Sequence, residues 1–293
     1  MEEIINIRNK IKKKRILLII LTIIIDIIIA IILYYKGYFS INTTLIISVP
    51  IILFIIYKKD EEYSKKLKDY LVKKEFEKYF NNIKYNQEFG LGIGDINQTD
   101  FFYRIESFDS CDFISGKYKN IKFEQSYIKV KTYYSEPNDP TSSVTAFDGK
   151  WIIFDYNKPV KDNILLEYKI FKNSSYSSPN NSIEYTKINI DNKEFKDSFS
   201  IYAKNPVEAF SILTPELMEK ILKIQSKIPY KTFICFSNNK IHFGIHSNKK
   251  SFEPNIFDNN PEEKIENEIN NNIKLIIMLI SSFNEVKNGD NNE

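Results

Sequence analysis

His242 and His246 are the only two histidines in the chain. In an extended strand side chains alternate between faces, so positions 242, 244 and 246 share one face and the two imidazoles could supply two ligands of a metal site. A third ligand would have to come from elsewhere. No acid or cysteine lies nearby on that face, so two exposed strand histidines is the simpler reading. The only compact reactive-looking cluster is Asp109, Cys111 and Asp112. A catalytic cysteine needs a base to lower its pKa, whereas neighbouring carboxylates raise it, so these read as loop residues. Gly90-Leu91-Gly92-Ile93-Gly94-Asp95 superficially suggests a phosphate-cradling loop. No clear strand precedes it and no Lys-Ser or Lys-Thr follows, so it reads as a flexible loop. Paired acids for glycoside hydrolysis, a nucleophile elbow and kinase motifs cannot be picked out, and no catalytic residue or cofactor is assigned.

Asp26 is the residue whose position alone suggests function. It interrupts an almost wholly Ile and Leu stretch from Ile16 to Tyr35. At 1.5 Å per residue, about 20 residues cover a hydrocarbon core of about 30 Å. Fifteen Ile and Leu residues in that stretch contribute about 5 to 9 kcal/mol toward insertion, against about 3 kcal/mol for a central Asp, so insertion wins. An ionisable group there faces a partner helix, water or an ion path. Protonation, or a hydrogen bond to Ser48 or Thr44 of a neighbouring helix or to a second copy, is favoured over transport, because two helices cannot enclose a pore without oligomerising.

A second span is expected over about 38–57, with a polar start at Ser40, Asn42, Thr43 and Thr44, a dense apolar stretch from Leu45 to Ile56 and a kink at Pro50. Arg8, Lys10, Lys12, Lys13, Lys14 and Arg15 precede the first span, Lys36 alone lies between spans, and Lys58, Lys59, Lys65 and Lys66 follow the second. Basic residues stay on the cytoplasmic side, which predicts a multi-pass protein of the cell membrane with both termini cytoplasmic. The apolar run is long and continues into Tyr34, Tyr35 and Lys36 with no apparent cleavage site, unlike a signal peptide.

What must position the remaining residues is a soluble part of about 235 residues, a comfortable size for one core. The net charge is only +3, with its basic excess near the N-terminus, and gives little support to nucleic-acid binding. Cys111 and Cys235 are far apart and read as ordinary free thiols. Residues 58–83 carry Tyr63, Leu67, Tyr70, Leu71, Phe76, Tyr79 and Phe80 at helical spacing and predict an amphipathic stalk. Residues 84–293 predict an α+β domain. Its strands are expected over Ile121 to Phe123, Tyr127 to Tyr134, Trp151 to Tyr156, Ile164 to Phe171 and Ile183 to Ile190. Asp148-Gly149 and Asn238-Asn239 are the hairpin signals. Thr214-Pro215-Glu216 opens a helix, and Pro261 to about Lys287 forms the last one. The fold class is therefore α+β, an N-terminal two-helix transmembrane hairpin followed by a cytoplasmic domain with a mainly antiparallel sheet and packed helices.

Several ordered pieces resemble an uncharacterised bacterial membrane-protein family known as domain of unknown function 3137. They are Asp109 through Tyr118, Phe147-Asp148-Gly149-Lys150-Trp151, and the segment from Phe195 through Phe199-Ser200-Ile201-Tyr202-Ala203 and Glu208-Ala209 to Ile212 through Met218. These motifs are strands, caps and helices rather than chemistry, and the resemblance, over about 108–245, implies no activity. The sequence reading is of a membrane-anchored interaction module whose partners are the lipid bilayer and a second copy or another protein. Alternatives are a small-molecule or lipid-headgroup binding domain and an accessory subunit of a channel or transporter.

Overall fold

The computed structural model describes residues 1–36, 49–55, 60–136, 139–169 and 184–284. In chain order the elements are α1 (Glu2–Tyr35), α2 (49–55), α3 (Glu61–Phe76), β1 (Asn81–Asn86), α4 (Ile93–Asn97), β2 (Ile105–Tyr118), β3 (Ile121–Glu136), β4 (Asp139–Asp155), β5 (Ile164–Tyr168), β6 (Thr186–Lys187), α5 (Lys193–Ser198), β7 (Phe199–Ala203), α6 (Pro206–Ile212), α7 (Pro215–Gln225), β8 (Lys231–Ser237), β9 (Lys240–His246) and α8 (Pro261–Asn284). The chain divides into two compact units, Met1–Leu71 with Phe252–Glu268, and Val72–Ser251 with Ile269–Glu293.

In the first unit α1 is one helix of 34 residues that begins at Glu2, well before the apolar run. Its basic half carries two buried residues, Ile4 and Arg15. Arg8 Nη1 meets Glu262 Oε2 at 2.5 Å, and the other oxygen of Glu262 accepts from the Tyr63 hydroxyl at 3.0 Å. Arg15 Nη2 lies 2.6 Å from Asp60 Oδ2. The buried ammonium of Lys68 is neutralised by Glu253 at 2.7 Å, as a buried cation must be. The apolar half of α1 is the one helix among the described residues long and apolar enough to cross a membrane, and none of its most apolar window is buried. Of the expected second span, residues 38–48 and 56–57 lie outside the described residues. Residues 49–55 are helical, with Val49, Ile51, Leu53 and Phe54 exposed.

The amphipathic stretch after Lys58 forms a shorter helix than its spacing suggests. α3 ends at Phe76, and Asn81 already begins β1. Tyr63, Leu67, Leu71 and Phe76 are buried as the spacing requires, while Tyr70 is exposed.

The second unit is built on one nine-stranded antiparallel sheet in the order β1-β2-β3-β4-β9-β8-β5-β7-β6. Asn238 and Asn239 turn the β8–β9 hairpin with φ of 49° and 58°, the two positive angles that such a tight turn needs. Asp148-Gly149 does not turn the chain. It sits within β4, opposite Lys129 and Ile128 of β3, because both flanking segments pair with the same neighbour rather than with each other. One sheet face packs Ile128, Val130, Phe147, Trp151, Ile153 and Phe233 against Leu91, Ile96 and Phe102. On the other face Phe154 and Phe236 each contact Phe283 of α8. The Thr214 hydroxyl accepts from the Leu217 N–H and caps α7, whose Leu217, Met218, Ile221 and Ile224 are buried.

Candidate functional site

β4 and β9 bring the histidines to the middle of the sheet. Antiparallel register places Gly149 opposite His246, Trp151 opposite Gly244 and Ile153 opposite His242. Gly244 lies between the two imidazoles on one face, and only glycine fits there. A Cβ at 244 would fall 2.5 Å from Trp151 Cζ3 and 3.1 Å from Phe147 Cε2, so the indole lies across the backbone between His242 and His246.

His242 is buried, not exposed as its strand position suggested, at 1% relative accessibility. The Trp151 indole N–H donates to its Nδ1 over a long 3.4 Å. Indole is a donor only, so Nδ1 is the acceptor and Nε2 carries the proton. That Nε2 has no hydrogen-bond partner among the described residues. Burial, with Lys240 adding repulsion, pushes the His242 pKa down to about 3, and the ring is neutral near neutral pH. His246 is half-buried, and its Nδ1 accepts from the Asp148 backbone N–H at 3.0 Å. Burial and the Lys231 charge lower its pKa, against the opposing pull of Asp148.

Each Nδ1 lone pair is therefore engaged by a donor, and each Nε2 is the protonated nitrogen of a neutral ring. A metal ion would have to displace one of these bonds. Among the described residues no group of three or more His, Cys, Asp and Glu is placed to hold a metal ion.

The second cluster belongs to a strand, not a loop. Asp112 has φ of 56° at a register shift of β2 between Cys111 and Ile114, and its backbone N–H bonds to Gln87 O. A bulge leaves one residue unpaired and re-aims its side chain. The Asp112 carboxylate is buried, accepting from the Tyr85 hydroxyl at 2.9 Å and from the Cys111 thiol at 3.8 Å. Cys111 and Cys235 are not joined in a disulfide, and burial raises the pKa of Cys235 well above its ordinary value. The glycine segment packs on the sheet rather than forming a cradle. A Cβ at Gly90 would stand 1.9 Å from Ser110 Oγ, Leu91 N donates to Ser126 Oγ, and the Asp95 carboxylate accepts from Gly92 N at the start of α4.

Three polar groupings were invisible to spacing because their members come from distant segments. Lys231 and Glu167 form a nearly buried ion pair, with burial raising the Glu167 pKa against the lowering effect of Lys231. Asp100 accepts from the Tyr185 hydroxyl at 2.6 Å and from the Asn163 amide at 3.1 Å, and lies 3.1 Å from Lys204 Nζ. Asp148 accepts from the Tyr127 hydroxyl at 2.6 Å, with Lys129 at 3.4 Å. Each is a carboxylate whose charge is balanced or hydrogen-bonded by fixed neighbours. Such groups hold strands in register more readily than they exchange protons with a substrate.

Fold and site together define an α+β protein with an antiparallel sheet and one N-terminal helix apolar enough to serve as a membrane anchor. Residues 145–285 match the family model described as "Protein of unknown function (DUF3137)", the same family that the ordered sequence pieces resemble. The matched residues include Phe147 to Trp151 and Phe195 to Met218, whereas Asp109 to Tyr118 lie before them. A search of curated proteins finds no match. Among solved structures, the crystal structure of the mycobacterial trehalose monomycolate transport factor A, TtfA, aligns with a TM-score of 0.36 and 8% identity, covering 75% of this chain and 97% of that one. That likeness is too distant to carry a fold or a function across.

Proposed function

We propose that the protein is a membrane-anchored interaction module, held on the cytoplasmic face by a two-helix hairpin. The observation that carries this reading is α1, whose most apolar window has no buried residue while its basic half is tied by Arg8 and Arg15 to Glu262 and Asp60 of the same compact unit. A lipid-spanning helix that continues into a clamped polar extension suits an anchor for a folded domain.

The hairpin draws support from a periodicity within α1. Ile19, Thr22, Asp26, Ala30 and Leu33 are partly covered, while most of their neighbours are exposed. These positions recur at steps of three and four, one face of a helix. The face holds Asp26 together with small Thr22 and Ala30, the composition by which helices approach closely in lipid. A second span or a second copy would complete it. The partners Thr44 and Ser48 suggested for Asp26 lie outside the described residues.

In-cell cross-linking followed by extraction in mild detergent tests the proposal, with recovery of a partner protein or a second copy on the soluble domain as the expected result. Repeated recovery of the protein alone, with no self-association, would overturn it. The orientation is tested by protease access in spheroplasts, where the domain should stay protected until the membrane is opened.

A further inference from the structure

The basic half of α1 has two chemically different faces. At 100° per residue, Ile4, Arg8 and Arg15 fall within an arc of about 40°, and Lys10, Lys13 and Lys14 fall within an arc of about 100° on the opposite side. The first face is consumed inside the protein: Ile4 and Arg15 are buried, Arg8 meets Glu262 at 2.5 Å and Arg15 meets Asp60 at 2.6 Å. Lys10, Lys13 and Lys14 are exposed, and among the described residues none of them has an ion-pair partner. The acids in the basic half of the helix, Glu2 and Glu3, sit about two turns further from the apolar run than Lys10, and Glu3 pairs with Lys66.

We infer that Lys10, Lys13 and Lys14 form a recognition face for the anionic phospholipid headgroups of the membrane that α1 crosses. The inference rests on the anchoring role of α1. Because the helix is unbroken from Glu2 to Tyr35, the distance of each lysine from the first apolar residue, Ile16, is set by helical rise. Lys14 lies about 3 Å and Lys10 about 9 Å before it along the axis. That interval falls within the polar headgroup layer and one screening length of it, the zone in which a lysine attracts anionic lipid. Lysine stems reach along apolar surface while the ammonium stays in the polar layer, so all three charges can settle at phosphate depth. The clamps at Arg8 and Arg15 fix the rotation of the helix, which keeps the lysine face turned away from the carboxylates that would neutralise it.

The test reconstitutes the full chain in phosphatidylcholine vesicles and measures the association of spin-labelled phosphatidylglycerol relative to spin-labelled phosphatidylcholine. A preference of about fivefold or more at low salt is expected, falling toward unity in molar salt. Lys10→Gln/Lys13→Gln/Lys14→Gln should abolish it, and the triple Arg variant should keep it. No preference in the wild-type chain, or an undiminished one in the triple Gln variant, overturns the inference. So does a preference lost in Arg8→Gln but kept in the triple Gln variant, which would assign the charge to the clamped face. Flotation on neutral vesicles after carbonate washing separates the two readings. A chain that floats without lipid preference leaves the anchor standing and removes the lysine face, while a chain that never floats removes both.

Discussion

The Trp151 indole N–H donates to Nδ1 of His242 across neighbouring strands, 3.4 Å apart, and so fixes the proton of a buried imidazole on Nε2. The interaction makes the second unit sensitive to acid. An imidazole whose folded pKa lies below its unfolded value stays neutral in the folded chain while the unfolded chain takes up a proton. Its contribution is present above the ordinary value of 6.5 and is lost as pH falls toward the folded value of about 3.

The urea midpoint should therefore drop between pH 7 and pH 4, with His242 contributing on the order of a few kcal/mol across that window. His246 is shifted in the same direction and adds to the slope. His242→Asn keeps an acceptor near Nδ1 and removes the titration, so its midpoint should vary less with pH. Trp151, the single tryptophan, supplies the fluorescence readout. Equal slopes in the two proteins would show that His242 is not the source.

Glycine substitutions should divide by what a Cβ would meet. At Gly244 it would meet the buried Trp151 ring at 2.5 Å, and Gly244→Ala should cost about 1–3 kcal/mol of unfolding free energy. At Gly94 nothing lies within 4 Å, and Gly94→Ala in α4 should stabilise by about 0.5–1 kcal/mol. Denaturant melts of the two variants in the same buffer check the opposite signs.

Lys231→Met should leave the Glu167 carboxylate buried without its counter-charge, at a cost of about 3–5 kcal/mol. Lys231→Met/Glu167→Leu removes both charges and should return near to the wild-type midpoint. A single variant as stable as the wild type would mean that water already compensates Glu167.

Asp26→Leu should favour insertion of α1 by about 3 kcal/mol while weakening whatever packs on the face it shares with Thr22 and Ala30. Disulfide cross-linking from a cysteine placed at Ala30 would read that packing. An undiminished cross-linking yield in the Leu variant would deny Asp26 a packing role.

Local patterns carried much of the fold. The Thr214 cap, the Asn238-Asn239 turn and the last helix from Pro261 depend on side-chain and backbone chemistry within a few residues, and each forms where the sequence places it. Asp148-Gly149 misled because a hairpin dipeptide competes with the strands beside it. Here β3 and β9 pair with the segment straight through. Asp112 read as a loop residue because a bulge has no strand periodicity of its own.

By itself the sequence determined the apolar helix, the antiparallel α+β character and the likeness to the DUF3137 family, since these follow from runs, turns and ordered motifs along the chain. Only the tertiary structure decided what the chemistry-bearing residues do. Whether His242 is a ligand or a core residue depends on the ring that covers Gly244, and whether a cation of α1 is free depends on a carboxylate more than 200 residues away, as with Arg8 and Glu262. Burial and charge pairing act through space, and side-chain spacing along one strand or helix cannot specify what another segment brings against it.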